Sequence, residues 1–204
     1  MLSHFNSVVE IRDALVSGDV GATRSPARWL ASHQFEPEEY SMQEAREALE
    51  QMRAESRMIL TQKGIPEMAR SVGRLGAACG SCHTAMKQGP RLSVPSAPPS
   101  PAAGATPEAH MNRHAWASER LWEGLVAPSD ASWMVGAAVL TGPALDWGPA
   151  GSASPRVLEL QAKVTQLAQD ARQTESLQDR ATLYGQLLET CADCHEIVGM
   201  GMSR

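Results

Sequence analysis

Two short segments carry the side chains best suited to chemistry: Cys79-Gly80-Ser81-Cys82-His83 and Cys191-Ala192-Asp193-Cys194-His195. Both read Cys-x-x-Cys-His, the attachment signature of a c-type haem, and together they use all four cysteines of the chain. Two thiols that add across two vinyl groups must sit a few ångströms apart on one surface, and the adjacent histidine must present a ring nitrogen to the iron. Positions i, i+3 and i+4 of a helix share one face, and both motifs have that spacing. Two covalently attached haem c groups are therefore expected, with Cys79, Cys82, Cys191 and Cys194 as thioether residues and His83 and His195 facing the metal. One zinc held by both cysteine pairs fits less well, because such pairs usually stand much closer than residues 82 and 191. A redox dithiol favours a helix start after a strand, and no strand pattern is present.

The elements that must position these residues read as helices. The chain is rich in Ala, Leu, Glu, Gln, Arg and Met, all helix formers, and has only two Phe and two Tyr in 204 residues. A unit of about 95 residues has a thin core by itself, and a large apolar haem would fill much of it. The stretch 89–109 contains six prolines and no apolar periodicity, which reads as an extended, semi-rigid linker. It separates lobe one (1–88) from lobe two (110–204), each ending in its motif.

The lobes repeat one template. Met1-x-x-His4 recurs as Met111-x-x-His114, and Ile11-Arg12-Asp13-Ala14-Leu15-Val16 as Leu121-Trp122-Glu123-Gly124-Leu125-Val126. Val72-Gly73-Arg74-Leu75 aligns with Tyr184-Gly185-Gln186-Leu187 ahead of the cysteines. Each lobe supports four helices. In lobe one these are 2–17, 20–33, 38–62 and 65–87; in lobe two the second is 130–140 and the fourth 176–198. His4, Val8, Ile11 and Leu15 share a face, as do His114, Ser118, Leu121 and Leu125. Met42, Ala45, Leu49, Met52, Ser56 and Ile59 form a bundle seam matched by Val157, Leu160, Val164, Leu167 and Ala171. Val72, Leu75, Cys79, Cys82, His83 and Met86 line one side of the fourth helix. The fold class is all-α: two tandem four-helix bundles, each closing on a Cys-x-x-Cys-His helix.

The formal charge is −5. Residues 1–90 carry 10 basic and 11 acidic side chains (−1), and residues 110–204 carry 7 and 11 (−4). Nothing here suits nucleic acid or an anionic membrane surface, and no stretch is apolar enough to span a bilayer. Glu10, Arg12 and Asp13 interrupt the first apolar run, so it is not a signal peptide. Bacterial haem attachment takes place outside the cytoplasmic membrane. An export signal ahead of this numbering is expected, and a periplasmic or otherwise exported location with it.

A helical unit with the motif on its last helix resembles the class II c-type cytochromes, the group of cytochrome c′ and cytochrome c556. Class I cytochromes place the motif near the start, with a methionine ligand far downstream, and only nine residues follow His195. The resemblance implies antiparallel four-helix bundles with His83 and His195 as proximal ligands. It also implies that a first-helix side chain faces the other side of each haem. That side chain is apolar in gas-binding members and Met in electron-transfer members; this chain departs from both, because a histidine recurs near the start of each first helix, and His4 and His114 are the candidate sixth ligands. Met1 and Met111, three residues earlier, are their rivals. The basic residue that the family commonly carries four positions after the motif histidine is Lys87 in lobe one but Gly199 in lobe two.

His110 and His33 lack counterparts in the other lobe; the first reads as surface and the second as a helix end. Trp116, Trp122 and Trp133 read as packing for the core or haem, and Trp147 lies in a long loop. No Ser/His/Asp set or acidic pair suggests an enzyme. Electron transfer between redox partner proteins is the leading function, and binding or sensing of a diatomic gas by five-coordinate haem is the alternative. Acid–acetone extraction should leave two haems on the chain, and Cys79→Ala with Cys82→Ala should leave one, with lobe two still coloured.

Overall fold

The computed structural model describes residues 2–33, 43–87, 97–99, 106–145 and 153–199. Within them the chain forms α1 (Leu2–Val16), α2 (Arg24–Ser32), α3 (Gln43–Thr61), α4 (Ile65–Met86), α5 (Pro107–Val126), α6 (Asp130–Leu140), α7 (Pro155–Ala171) and α8 (Leu177–Val198). Helices α1–α4 make one four-helix bundle and α5–α8 the other, with α4 and α8 carrying the motifs. Residues 34–42, most of the 89–109 linker, and the 146–152 loop with Trp147 lie outside the described residues.

Local chemistry sets the helix ends. In lobe two, the hydroxyls of Thr106, Ser129, Ser154 and Ser176 accept the backbone N–H three residues on, capping α5, α6, α7 and α8. Pro107 stands in the first turn of α5, where its missing N–H costs nothing, so that helix begins three residues before position 110. Helix α2 is shorter than 20–33. Gly18 turns the chain at φ +76°, and residues 20–23 form turns before Arg24.

The predicted faces are buried. Val8, Ile11 and Leu15 on α1, Leu121 and Leu125 on α5, Ala45 to Ile59 along α3, and Val157 to Ala171 along α7 all point into the core. Arginines tie the helices at their ends. Arg24 donates to the carbonyls of Ile59, Leu60 and Gln62 at 2.6–2.7 Å, closing the last turn of α3. Arg74 grips Glu55 bidentately at 2.7 and 2.8 Å. In lobe two, Trp133 donates its indole N–H to Ala171 (2.8 Å), and Arg180 lies over that ring while pairing with Asp130.

The motif helices depart from one-sided burial. Met68, Ala69, Val72, Gly73, Leu75, Gly76, Ala77 and Ala78 of α4 are all buried, because α4 packs on α3 along one side and on α8 along another. The two lobes therefore share one continuous hydrophobic core. Contact is closest at glycines. A Cβ on Gly73 would collide with the carbonyl oxygen of Ala181, and one on Gly185 would stand 2.9 Å from that of Ala69. Gly73 and Gly185 are the same position of the repeat, as are Ala69 and Ala181, so the contact is reciprocal about a local two-fold. Gly80 faces Leu177, which makes α4 and α8 antiparallel and sends the motifs to opposite ends. Each motif lies eight to twelve residues past the crossing, so at about 1.5 Å per residue their centres stand about 30 Å apart along the pair.

A second inter-lobe tie joins α1 to α5. Arg12, on the core side of α1, pairs with Glu119 at 2.5 Å and lies over the Trp122 ring. Overpacking at a buried backbone contact typically costs about 1–3 kcal/mol. Gly73→Ala should therefore lower the urea midpoint of a single unfolding transition, read by circular dichroism, without splitting it into two.

Candidate functional site

Each motif occupies the last two turns of its helix, α4 or α8, so the helical face predicted for Cys, Cys and His is realised in both lobes. The four cysteines are free thiols, half-buried. Cys79 and Cys191 pack against the core, while Cys82 lies 3.6 Å from the Met86 sulfur. Burial pushes the Cys79 and Cys191 thiols up to about 12, and it raises Cys194 as well. Redox-active dithiols run the other way, toward lowered pKa and stable thiolates. Among the described residues, no group of three or more His, Cys, Asp or Glu side chains is arranged to hold a metal ion. The donor set that remains is two adjacent thiols and one imidazole per helix end.

The motif histidines are oriented by backbone. His83 Nδ1 lies 2.7 Å from the carbonyl oxygen of Val126, and His195 Nδ1 lies 2.8 Å from that of Val16. A carbonyl only accepts, so Nδ1 carries the proton in both rings. The Nε2 lone pair is then left for a metal.

The first-helix histidines sit at the same ends of the bundles. Burial pushes His4 down to about 4, and the charges that add to this include His33 and His83. Burial also brings His114 to about 4, followed by the charges of His110, Arg113 and His195. Both are therefore neutral at pH 7, and each lies within electrostatic reach of its own lobe's motif histidine. Met111 is half-buried one turn before His114, and Met1 lies outside the described residues. His110 is not a free surface residue: its ring centroid is 4.1 Å from that of His114. His33 ends α2 and stacks on Trp29.

Trp122 and Trp133 are core residues, and Trp116 lies under Arg120. An apolar cavity bounded by Leu121, Trp133, Leu167, Tyr184 and Leu187 lies along α8, its Leu187 wall one turn before Cys191. Lys87 and Gly199, the two residues at the family's basic position, both take the left-handed conformation that ends a helix, at φ 52° and 73°. Termination explains Gly199 there without any role toward a ligand.

The helix-borne Cys-x-x-Cys-His spacings, the apolar surroundings and the free Nε2 atoms are consistent with covalent haem attachment at two separate sites. Comparison with known proteins adds no assignment: no family model matches the chain, nor does any curated protein or solved structure. No helix among the described residues is long and apolar enough to cross a membrane.

What sequence reasoning missed is the source of the Nδ1 acceptors, which come from the other lobe. The signal available was the run of small residues Gly73, Gly76 and Gly80 on α4, which lets another backbone come close. In the reduced haem-free chain at pH 8.5, iodoacetamide should label Cys194 ahead of Cys191. Cys194 is less deeply set, and a thiol at about 12 is almost wholly protonated there. Peptide mass spectrometry reads the order.

Proposed function

We propose that the chain is a di-haem c-type cytochrome that carries electrons between redox partner proteins. Each iron is held between two imidazoles, His83 with His4 and His195 with His114. One observation carries this reading. In both lobes, a neutral, half-buried first-helix histidine lies near a motif histidine whose Nδ1 is committed to a carbonyl and whose Nε2 is free. A haem held by two imidazoles supplies a reversible one-electron couple whose geometry changes little on reduction.

The protein's own contribution is positioning. Helices α4 and α8 fix the thiols, α1 and α5 bring up the second imidazole, and burial keeps that imidazole unprotonated. Such a site has no vacant coordination position, and a carrier role rather than an enzymatic one follows from it. Haem attachment of this type goes with an exported, periplasmic setting, where the partner proteins would be met.

The optical spectrum decides the ligation. The oxidised protein should be low-spin in both lobes and lack the near-infrared band of sulfur-ligated iron. His114→Ala should produce high-spin, carbon-monoxide-binding haem in lobe two alone. A native spectrum that is high-spin and binds carbon monoxide at both sites would replace electron transfer with diatomic gas binding. A low-spin lobe two in His114→Ala would move the ligand to Met111 or His110.

A further inference from the structure

The two bonds to the motif histidines cross between lobes. Val126 ends α5 of lobe two and receives His83 of lobe one, while Val16 ends α1 of lobe one and receives His195 of lobe two. Val16 and Val126 are the same position of the repeat. The arrangement therefore occurs twice, independently in sequence, with bonds of 2.7 and 2.8 Å. Both acceptors lie in the last turn of a helix, where carbonyls have no intrahelical partner and the helix dipole places about half a negative charge. The close approach that makes this possible is built in: a Cβ on Gly80, three residues before His83, would collide with the carbonyl oxygen of Leu125.

We infer that the end of each lobe's first helix is a positioning element for the other lobe's haem ligand, so that each lobe sets the redox potential of its neighbour. This rests on the haem reading above. The carbonyl holds the Nδ1–H tautomer, fixes the ring plane, and makes the imidazole more basic, which stabilises the ferric state and lowers the potential. The nearby negative helix end acts in the same direction.

Proline at the following position turns the carbonyl away, because a residue before proline is pushed out of the helical region. Ala127→Pro acts on Val126 and Ser17→Pro on Val16, each also losing one equivalent backbone bond, to Glu123 and to Asp13. Both are made in the full, haem-loaded chain. Potentiometric titration follows the two haems, with the lobe-two wave assigned from the Cys79→Ala, Cys82→Ala form.

Loss of such an outer partner typically weakens a metal–ligand unit about 10–100-fold. Ala127→Pro should therefore shift the ferric–ferrous equilibrium of the lobe-one haem about tenfold toward ferrous, or about 59 mV for one electron. The lobe-two haem should stay nearly unmoved, and Ser17→Pro should do the reverse. A shift confined to the lobe that bears the substitution, or no shift, overturns the inference.

A second measurement does not depend on either variant folding. In ferrous protein labelled with ¹⁵N-histidine and ¹³C-carbonyl valine, two Nδ1–H protons should exchange slowly and couple to valine carbonyls. Rapidly exchanging, uncoupled protons would overturn the crossing while leaving the haem reading intact. A chain that loses all colour on acid–acetone extraction would instead defeat the haem reading itself.

Discussion

The close contact of α4 with α8 at Gly73 and Gly185 is the constraint on which the rest of the molecule depends. Two helix backbones approach so closely there that neither residue has room for a Cβ. Because they do, each motif helix is enclosed on several sides, and the core of one lobe runs into that of the other. The antiparallel sense of the pair follows from the same register and sends the two Cys-x-x-Cys-His segments to opposite ends. It also brings the last turn of each first helix against the motif helix of the other lobe, where its unpaired carbonyls find imidazole donors.

The chemistry of the motif ends follows from burial graded along the helix. Near the crossing, the faces of α4 and α8 that meet are buried around small residues such as Ala69, Gly73, Ala181 and Gly185. Toward their C-termini they open, so the first cysteine of each motif touches the core while the second is nearer solvent. Burial favours the neutral form of every group it reaches. It therefore keeps the inner thiols protonated and the first-helix imidazoles uncharged, two opposite pKa shifts with one cause. Unionised thiols beside uncharged imidazoles are consistent with covalent haem attachment at each motif end.

Much of this was legible before the fold was known. Helical periodicity located the seams of α3 and α7 and the apolar faces of α1 and α5, because side chains three and four apart must face the same neighbour. Motif spacing placed Cys79, Cys82 and His83 on one face for the same reason. The inter-lobe packing was not legible. A proline-rich linker suggests separation, whereas it is the surfaces of the lobes, and not the linker, that determine whether they dock. Glycines at 73, 76 and 80 carried the information, but a glycine in a helix pattern does not say which backbone will approach it. His110, read as surface, is half-buried, with its ring against that of His114 one turn on along the same face.

The meeting of Arg12 with Trp122 has a further consequence. These residues occupy the same position of the two repeats and lie against each other across the local two-fold. In a symmetric dimer of one repeat, that place would bring together two arginines, which repel, or two tryptophans. Joining the copies in one chain guarantees that every interface contains one of each, at any dilution, since the encounter is intramolecular. Covalent linkage thus releases the duplicated halves from having to be self-complementary. Each can then diverge in sequence while the seam between them stays closed.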